Sequence, residues 1–210
     1  MRLGPADREV IRESRTLIFN IMSRLSESKK LNPNYKQDLK KVFALTEYPD
    51  KCAPALAHLD AAITSPSSSQ FLEAMAKHGI STNETLTIYS VMLLNQYFSF
   101  YAYLGNILVA LLKDVEINEK KVKGTESLGV LLDHIKTITT FDLKETYVND
   151  KFRNALGHGW YWVKNEEIHY YTNGKLQETI TISLADLLIN QIKLWHFVAN
   201  WSSVVDMYQF

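Results

Sequence analysis

From Ala6 to Leu25, apolar side chains recur every three or four positions, at Val10, Ile11, Leu17, Ile18, Ile21, Met22 and Leu25, while Arg8, Glu9, Arg12 and Glu13 take the other side. That rhythm predicts an amphipathic helix. Polar residues and Pro33 predict a loop from Ser26 to Asn34, then a shorter helix to Glu47 with Leu39, Val42 and Phe43 on one side. Pro54 fits the first turn of a helix through Ile63, because an N–H there has no intrahelical partner. Pro49, Pro66 and the run Ser67 to Ser69 punctuate this region, and Phe71 to His78 predicts a short helix stopped by Gly79.

Ser81 with Glu84 three residues on is a capping-box pattern, and the chain then carries no charge until Lys113. That exceeds the ~20 apolar residues that span a bilayer. Ser90, Asn95, Gln96, Ser99, Gly105 and Asn106 interrupt the stretch, however, and Tyr89, Tyr97, Tyr101 and Tyr103 are spread along it rather than gathered in two interfacial belts. The pattern therefore predicts a central helix buried on most sides in preference to a membrane span, and its tyrosine-rich face also suits dimerisation. Asp114 to Glu126 reads as a charged loop, and Ser127 to Ile138 as a helix carrying Leu128, Leu131, Leu132 and Ile135. Asp142 and Glu145 start another helix, which runs through Tyr147, Val148, Phe152 and Leu156 to Gly157-His158-Gly159.

The period then shifts. Trp160 to Val163, Ile168 to Thr172 and Leu176 to Ile182 are aromatic and β-branched, and Asn173-Gly174 is a strong hairpin signal. Ser183 and Asp186 cap a last helix bearing Leu184, Leu187, Leu188, Ile192, Trp195, Val198, Trp201 and Val205. The fold class expected is mainly α: a helical bundle with a small antiparallel hairpin or three-stranded insert before a long C-terminal helix. No repeat or linker divides the chain, so residues 1–210 read as a single domain.

Composition narrows the function. With 23 Lys+Arg against 23 Asp+Glu, the formal charge is zero and the pI about 7.0, which argues against a long non-specific grip on nucleic acid. At 46% hydrophobic and 22% charged, the chain is ordinary globular material. Cys52 is the only cysteine, which excludes a disulfide framework and a thiolate zinc site and points to the reducing cytoplasm. Met1 to Arg15 has Arg2, Arg8, Arg12 and Arg15 and no unbroken apolar run, so no signal peptide is expected. His58, His78, His134, His158, His169 and His196 show no metal-ligand spacing with a third ligand nearby, so no metal or cofactor is expected. Phosphate-loop, dinucleotide-binding and nucleophile-elbow glycine motifs are missing.

One packet remains: Phe152-Arg153-Asn154-Ala155-Leu156-Gly157-His158-Gly159. Arg153, Asn154 and then His158, at the end of a helix and followed by a short β segment and a long helix, resemble the Arg-x4-His motif of the HEPN superfamily. The resemblance covers Ser81 to Phe210, the expected core, with residues 1–80 as an N-terminal helical extension. It implies an α-helical homodimer of the kind found among bacterial or plasmid-borne members, many of them metal-independent ribonucleases of toxin or antiviral defence systems. The expected partners are RNA, a second copy and a restraining antitoxin or regulatory protein, with no membrane.

Cutting RNA without a metal needs a base for the 2′-hydroxyl proton, an acid for the leaving 5′-oxygen and a cation for the charge growing on phosphate. Histidine titrates in the right range for the first two, and arginine offers a planar fork for the third. Arg153, His158 and Asn154 are thus the candidate catalytic residues. On a helix, five residues separate Arg153 and His158 by about 140° and about 7.5 Å. Gly157 could let the chain turn and swing His158 round, or a two-fold dimer could pair two packets. Asn154 and His158, four apart, share a face on which the amide can orient the imidazole or a phosphate oxygen. Two simpler roles compete: His158 as a helix-end cation, and Arg153 paired with Asp150 or Glu145. Acids slightly outnumber bases from Asp142 to Glu167. Trp160, Tyr161 and Trp162 suit base stacking or cross-strand packing. The alternative function is a non-catalytic HEPN-like interaction or RNA-binding module.

Overall fold

The computed structural model describes residues 5–45, 73, 76–164 and 167–207. Helix α1 (Pro5–Glu27) and helix α2 (Tyr35–Leu45) follow the first two periodic segments closely. The expected helices at Pro54 to Ile63 and Phe71 to His78 fall wholly or largely outside the described residues, as does Cys52. Helix α3 (Thr82–Leu112) is the centre of the molecule, with α2, helix α4 (Leu128–Thr139) and helix α7 (Leu184–Met207) packed around it, while α1 lies along α7 and against α4.

Ser81 caps α3 as its sequence predicts: its hydroxyl accepts from the Glu84 N–H, and the Glu84 carboxylate accepts from the Ser81 N–H at 2.8 Å. The absence of charge in α3 follows from burial on several sides, since Leu93, Leu94, Phe100, Leu104, Ile107 and Leu111 are all nearly inaccessible. Its polar residues have places of their own. Asn95, Ser99 and Asn106 face outward, and Gln96 accepts from Gln191 of α7 at 2.9 Å. No described helix is long and apolar enough to cross a membrane.

The tyrosines of α3 correct one expectation. Tyr97, Tyr101 and Tyr103 are buried inside their own chain at 2%, 1% and 8% exposure, so they do not form a dimer face. Tyr97 and Tyr101 meet edge to face with centroids 4.6 Å apart. The outward strip of α3 is instead Val91, Asn95, Phe98, Ser99, Ala102 and Asn106.

Two further differences have local causes. The charged loop after α3 holds a small hairpin of β1 (Glu116–Ile117) and β2 (Lys120–Lys121), whose turn residues Asn118 and Glu119 both have positive φ, 51° and 62°. A glutamate occupies the position where glycine normally announces such a turn, so the sequence signal is weak. The single helix expected from Asp142 to Leu156 is two: α5 (Leu143–Thr146) and α6 (Asp150–His158). Asn149 interrupts it by acting as the N-cap of α6, its amide oxygen accepting from the Phe152 N–H at 2.9 Å.

Strands β3 (Tyr161–Lys164), β4 (Glu167–Tyr171) and β5 (Thr179–Ser183) form an antiparallel sheet in that order before α7. Ile168 and Tyr170 point into the core, and the alternate residues Trp162 and His169 lie opposite each other on the other face. Asn173-Gly174 does not make a two-residue hairpin. The last β4–β5 pair is Tyr171 with Thr179, Leu176 carries the positive φ of 55°, and the Lys175 N–H donates to the Asn173 amide oxygen. Gly174 is needed for another reason: a Cβ there would lie 3.2 Å from the Trp160 indole. Ser183 begins α7 as expected, accepting from the Asp186 N–H at 3.0 Å.

Candidate functional site

The motif helix α6 is nine residues long, too short to persist alone in water. Phe152 and Ala155 hold it down, both essentially inaccessible, with the Phe152 ring between Tyr97 (5.6 Å) and Tyr170 (4.9 Å). Asn149 fastens its start, since its amide nitrogen donates to the Tyr170 hydroxyl at 3.1 Å while its oxygen caps the helix. Burial raises the ionisation points of Tyr97, Tyr101 and Tyr170, so this floor is neutral under ordinary conditions.

At the other end the helix does not turn at Gly157. It continues through His158 and stops at Gly159, which has φ of 67° and sends its N–H to the carbonyls of Ala155 and Leu156. The Trp160 N–H donates to the Ala155 carbonyl as well, at 2.8 Å. Glycine suits that left-handed position because a side chain would strain it. Gly157 faces α3, where a Cβ would sit 3.5 Å from the ring of Phe98, an ordinary van der Waals contact.

These contacts assign each candidate residue a place. The Arg153 guanidinium lies over the Phe98 ring, 5.6 Å from its centroid, and donates to the Asn154 amide oxygen at 3.1 Å. Its Nε is buried without a hydrogen-bond partner. No carboxylate among the described residues pairs with it: Asp150 faces Lys144 at 3.9 Å, and that lysine also holds Asp133 at 2.8 Å. Arg153 and Asn154 border a cleft of about 100 Å³ with Ser127, Gly129 and Asp150. Ser127 stands at the N-cap of α4 with no side-chain capping bond, leaving its hydroxyl and the first N–H groups of α4 at this cleft.

His158 is elsewhere. Its exposed ring stacks on the Trp160 indole, centroids 4.4 Å apart and planes at 20°. No hydrogen bond joins it to Asn154, whose oxygen is taken by Arg153. The structure therefore brings Arg153 and Asn154 together and leaves His158 at the helix end, as uninterrupted helical geometry requires. Of the two simpler roles, His158 does stand in the last turn of α6, where a cation is favoured, while Arg153 makes no ion pair with Asp150 and the Glu145 side chain lies outside those described. The C-terminal carbonyls are capped by backbone N–H groups of Gly159 and Trp160, and Asp150 is matched by Lys144.

Three contributors escape a reading of the motif alone. Asn149, an N-cap residue just before Asp150, was legible as a helix start but was masked by the stronger-looking Asp142 pattern. Phe98 carries no sequence signal, because the need for a ring under Arg153 exists only once α3 and α6 meet. Trp160 packs on His158 and Gly174, while Trp162 stacks across the sheet on His169 at 5.2 Å. No three described His, Cys, Asp or Glu side chains converge in a way that could hold a metal ion. Compared with known proteins, the chain matches no family model, no curated protein and no solved structure.

Proposed function

We propose that this chain is a HEPN-like, metal-independent endoribonuclease of the toxin or antiviral defence type, working in the cytoplasm as a homodimer. The observation that carries the reading is Arg153: a guanidinium bordering a cleft, held over Phe98, with no described carboxylate to neutralise it. An arginine positioned by its own helix and without a counter-ion among the described residues suits a phosphodiester, whose non-bridging oxygens match its fork of donors. The Asn154 amide and the Ser127 hydroxyl at the same cleft offer further donors.

His158 supplies the proton chemistry. As base it takes the 2′-hydroxyl proton while the 2′-oxygen bonds to phosphorus. The P–O5′ bond then breaks, and a protonated imidazole delivers a proton to the departing oxygen. The products are a 2′,3′-cyclic phosphate and a 5′-hydroxyl. One imidazole cannot hold both roles at once, and His158 stands apart from the Arg153 cleft, so a second copy is required to bring another His158 to the scissile bond. The outward strip of α3, with Phe98 adjoining both Arg153 and Gly157, is the face we assign to that copy.

The test is incubation of the protein with mixed RNA in EDTA. Cleavage leaving cyclic phosphate ends is expected, with a fall of about 10²-fold or more in His158→Ala and Arg153→Ala. Equal cleavage by His158→Ala refutes the assignment. The second reading, a non-catalytic interaction or RNA-binding module, is favoured by the lack of contact between Asn154 and His158. It predicts RNA binding or partner capture with no cleavage by either protein.

A further inference from the structure

A second concave surface lies between α1 and α7, a groove of about 350 Å³. Arg8, Arg12 and Arg15 border it, Ile11, Phe19 and Met207 contribute apolar surface, and no acidic side chain is among its described lining residues. The arginines stand at spacings of four and three, so they share one face of α1 over about 10 Å. Like charges at those spacings repel and weaken a helix. The arrangement therefore opposes the stability of the free protein and is relieved by an anion.

Arg15 is also aimed. Its Nε donates to the Asn200 amide oxygen at 2.9 Å, and the Asn200 amide nitrogen is fixed by Ser14 Oγ and the His196 carbonyl, each at 2.8 Å. Ser14 is fully buried and Asn200 nearly so, at 7% exposure. A buried, satisfied polar network thus holds one guanidinium at the groove, so less side-chain freedom is lost when its remaining donors engage a ligand. Among the described residues Arg12 pairs with the exposed Glu9, at 3.5 Å, a pairing that water screens heavily.

We propose that this groove docks an acidic, amphipathic helical segment of a partner protein, its carboxylates on Arg8, Arg12 and Arg15 and its apolar side chains on Ile11, Phe19 and Met207. Charge complementarity selects an anionic partner. The apolar surface, with Met207 at 60% exposure, selects a partner that also brings hydrophobic side chains, since a phosphate backbone would leave that surface unburied. The inference does not rest on ribonuclease activity.

Phage-displayed peptides of about 16 residues, long enough for four helical turns, test it directly. Selection against the full chain is paired with counter-selection on Arg8→Glu/Arg12→Glu, which spares Arg15 and its network, and thermal melts confirm that the variant folds. The expected winners carry Asp or Glu beside apolar residues at three- and four-residue spacing, lose at least about tenfold in affinity for the variant, and weaken as salt rises. Winners without an acidic excess, or with equal affinity for the variant, overturn the proposal. So does a short single-stranded RNA that binds the full chain and is lost in the variant, which makes the groove a nucleic-acid site. Self-association abolished by the same variant would assign the groove to a second copy and overturn it equally.

Discussion

Replacing Asn149 with alanine removes two bonds at the start of the motif helix and leaves the backbone free to keep its path. The first is the cap on the Phe152 N–H at 2.9 Å, for which such a truncation costs about 1 kcal/mol. The second is the amide donor to the Tyr170 hydroxyl at 3.1 Å, a group on a side chain only 2% exposed, and its loss costs about another 1 kcal/mol. The two bonds diverge from one amide, so their sum of about 2 kcal/mol is a reasonable total. For a chain of this length that is a fall in Tm of about 4–8 °C. Urea unfolding gives the free energy directly, the midpoint falling at constant m-value. Asn149→Asp is the control. A carboxylate still accepts from the Phe152 N–H, accepts from the Tyr170 hydroxyl, and is favoured by the helix dipole, so it should remain near wild type. The reasoning fails if the alanine variant stays within about 0.5 kcal/mol of wild type, or if aspartate costs as much as alanine. Because Arg153 lies in the second turn of a nine-residue helix, RNA cleavage should fall in Asn149→Ala and recover in Asn149→Asp.

Other outcomes follow from single contacts. Gly159→Ala forces a side chain into φ of 67° and should cost about 1 kcal/mol in urea unfolding; a neutral result would mean the helix ends differently. Gly174→Ala puts a Cβ 3.2 Å from the Trp160 indole, so the His158 ring protons, shielded by that indole, should shift in the NMR spectrum, and an unchanged signal would refute the stacking chain. Asp38 is held below its ordinary 3.8 chiefly by the Lys41 hydrogen bond, and Glu126 below 4.5 chiefly by the Lys123 N–H. Lowered carboxylates stabilise above their ordinary values, and the gain vanishes as pH falls through the folded values, so unfolding midpoints should drop below about pH 4, less steeply in Glu126→Gln. The buried Tyr97 and Tyr101 titrate above 10 in the fold, so stability should be lost as pH rises past about 10, where the unfolded phenols ionise; Tyr97→Phe should flatten that loss.

Legibility in the sequence tracked the range of the interaction. The capping box at Ser81, the cap at Ser183, the amphipathic rhythm of α1 and the stripe of α7 depend on neighbours three or four residues away, and the sequence states them outright. The break at Asn149 and the hairpin at Asn118-Glu119 are local too, but their signals competed with Asp142-Glu145 or lacked a glycine. Asn173-Gly174 shows the reverse case, a strong local signal that did not make its two-residue hairpin, the last β4–β5 pair being Tyr171 with Thr179.

The residues of the candidate site were visible at once, since Arg153, Asn154 and His158 sit in one short packet. Sequence alone determined that they would lie at the end of a helix, that α3 would be central, and that a small sheet would precede a long last helix. Tertiary structure decided what those side chains can do. Phe98 and Arg153 lie far apart in the chain, yet their contact, together with the pairing of Lys144 with Asp150, is what leaves a cation beside a cleft without a described counter-ion. Tyr97, Tyr101 and Tyr103, which looked like an outward face, turned inward for a related reason: which side of an uncharged helix is buried is set by the helices packed against it, and no periodicity within α3 records that choice.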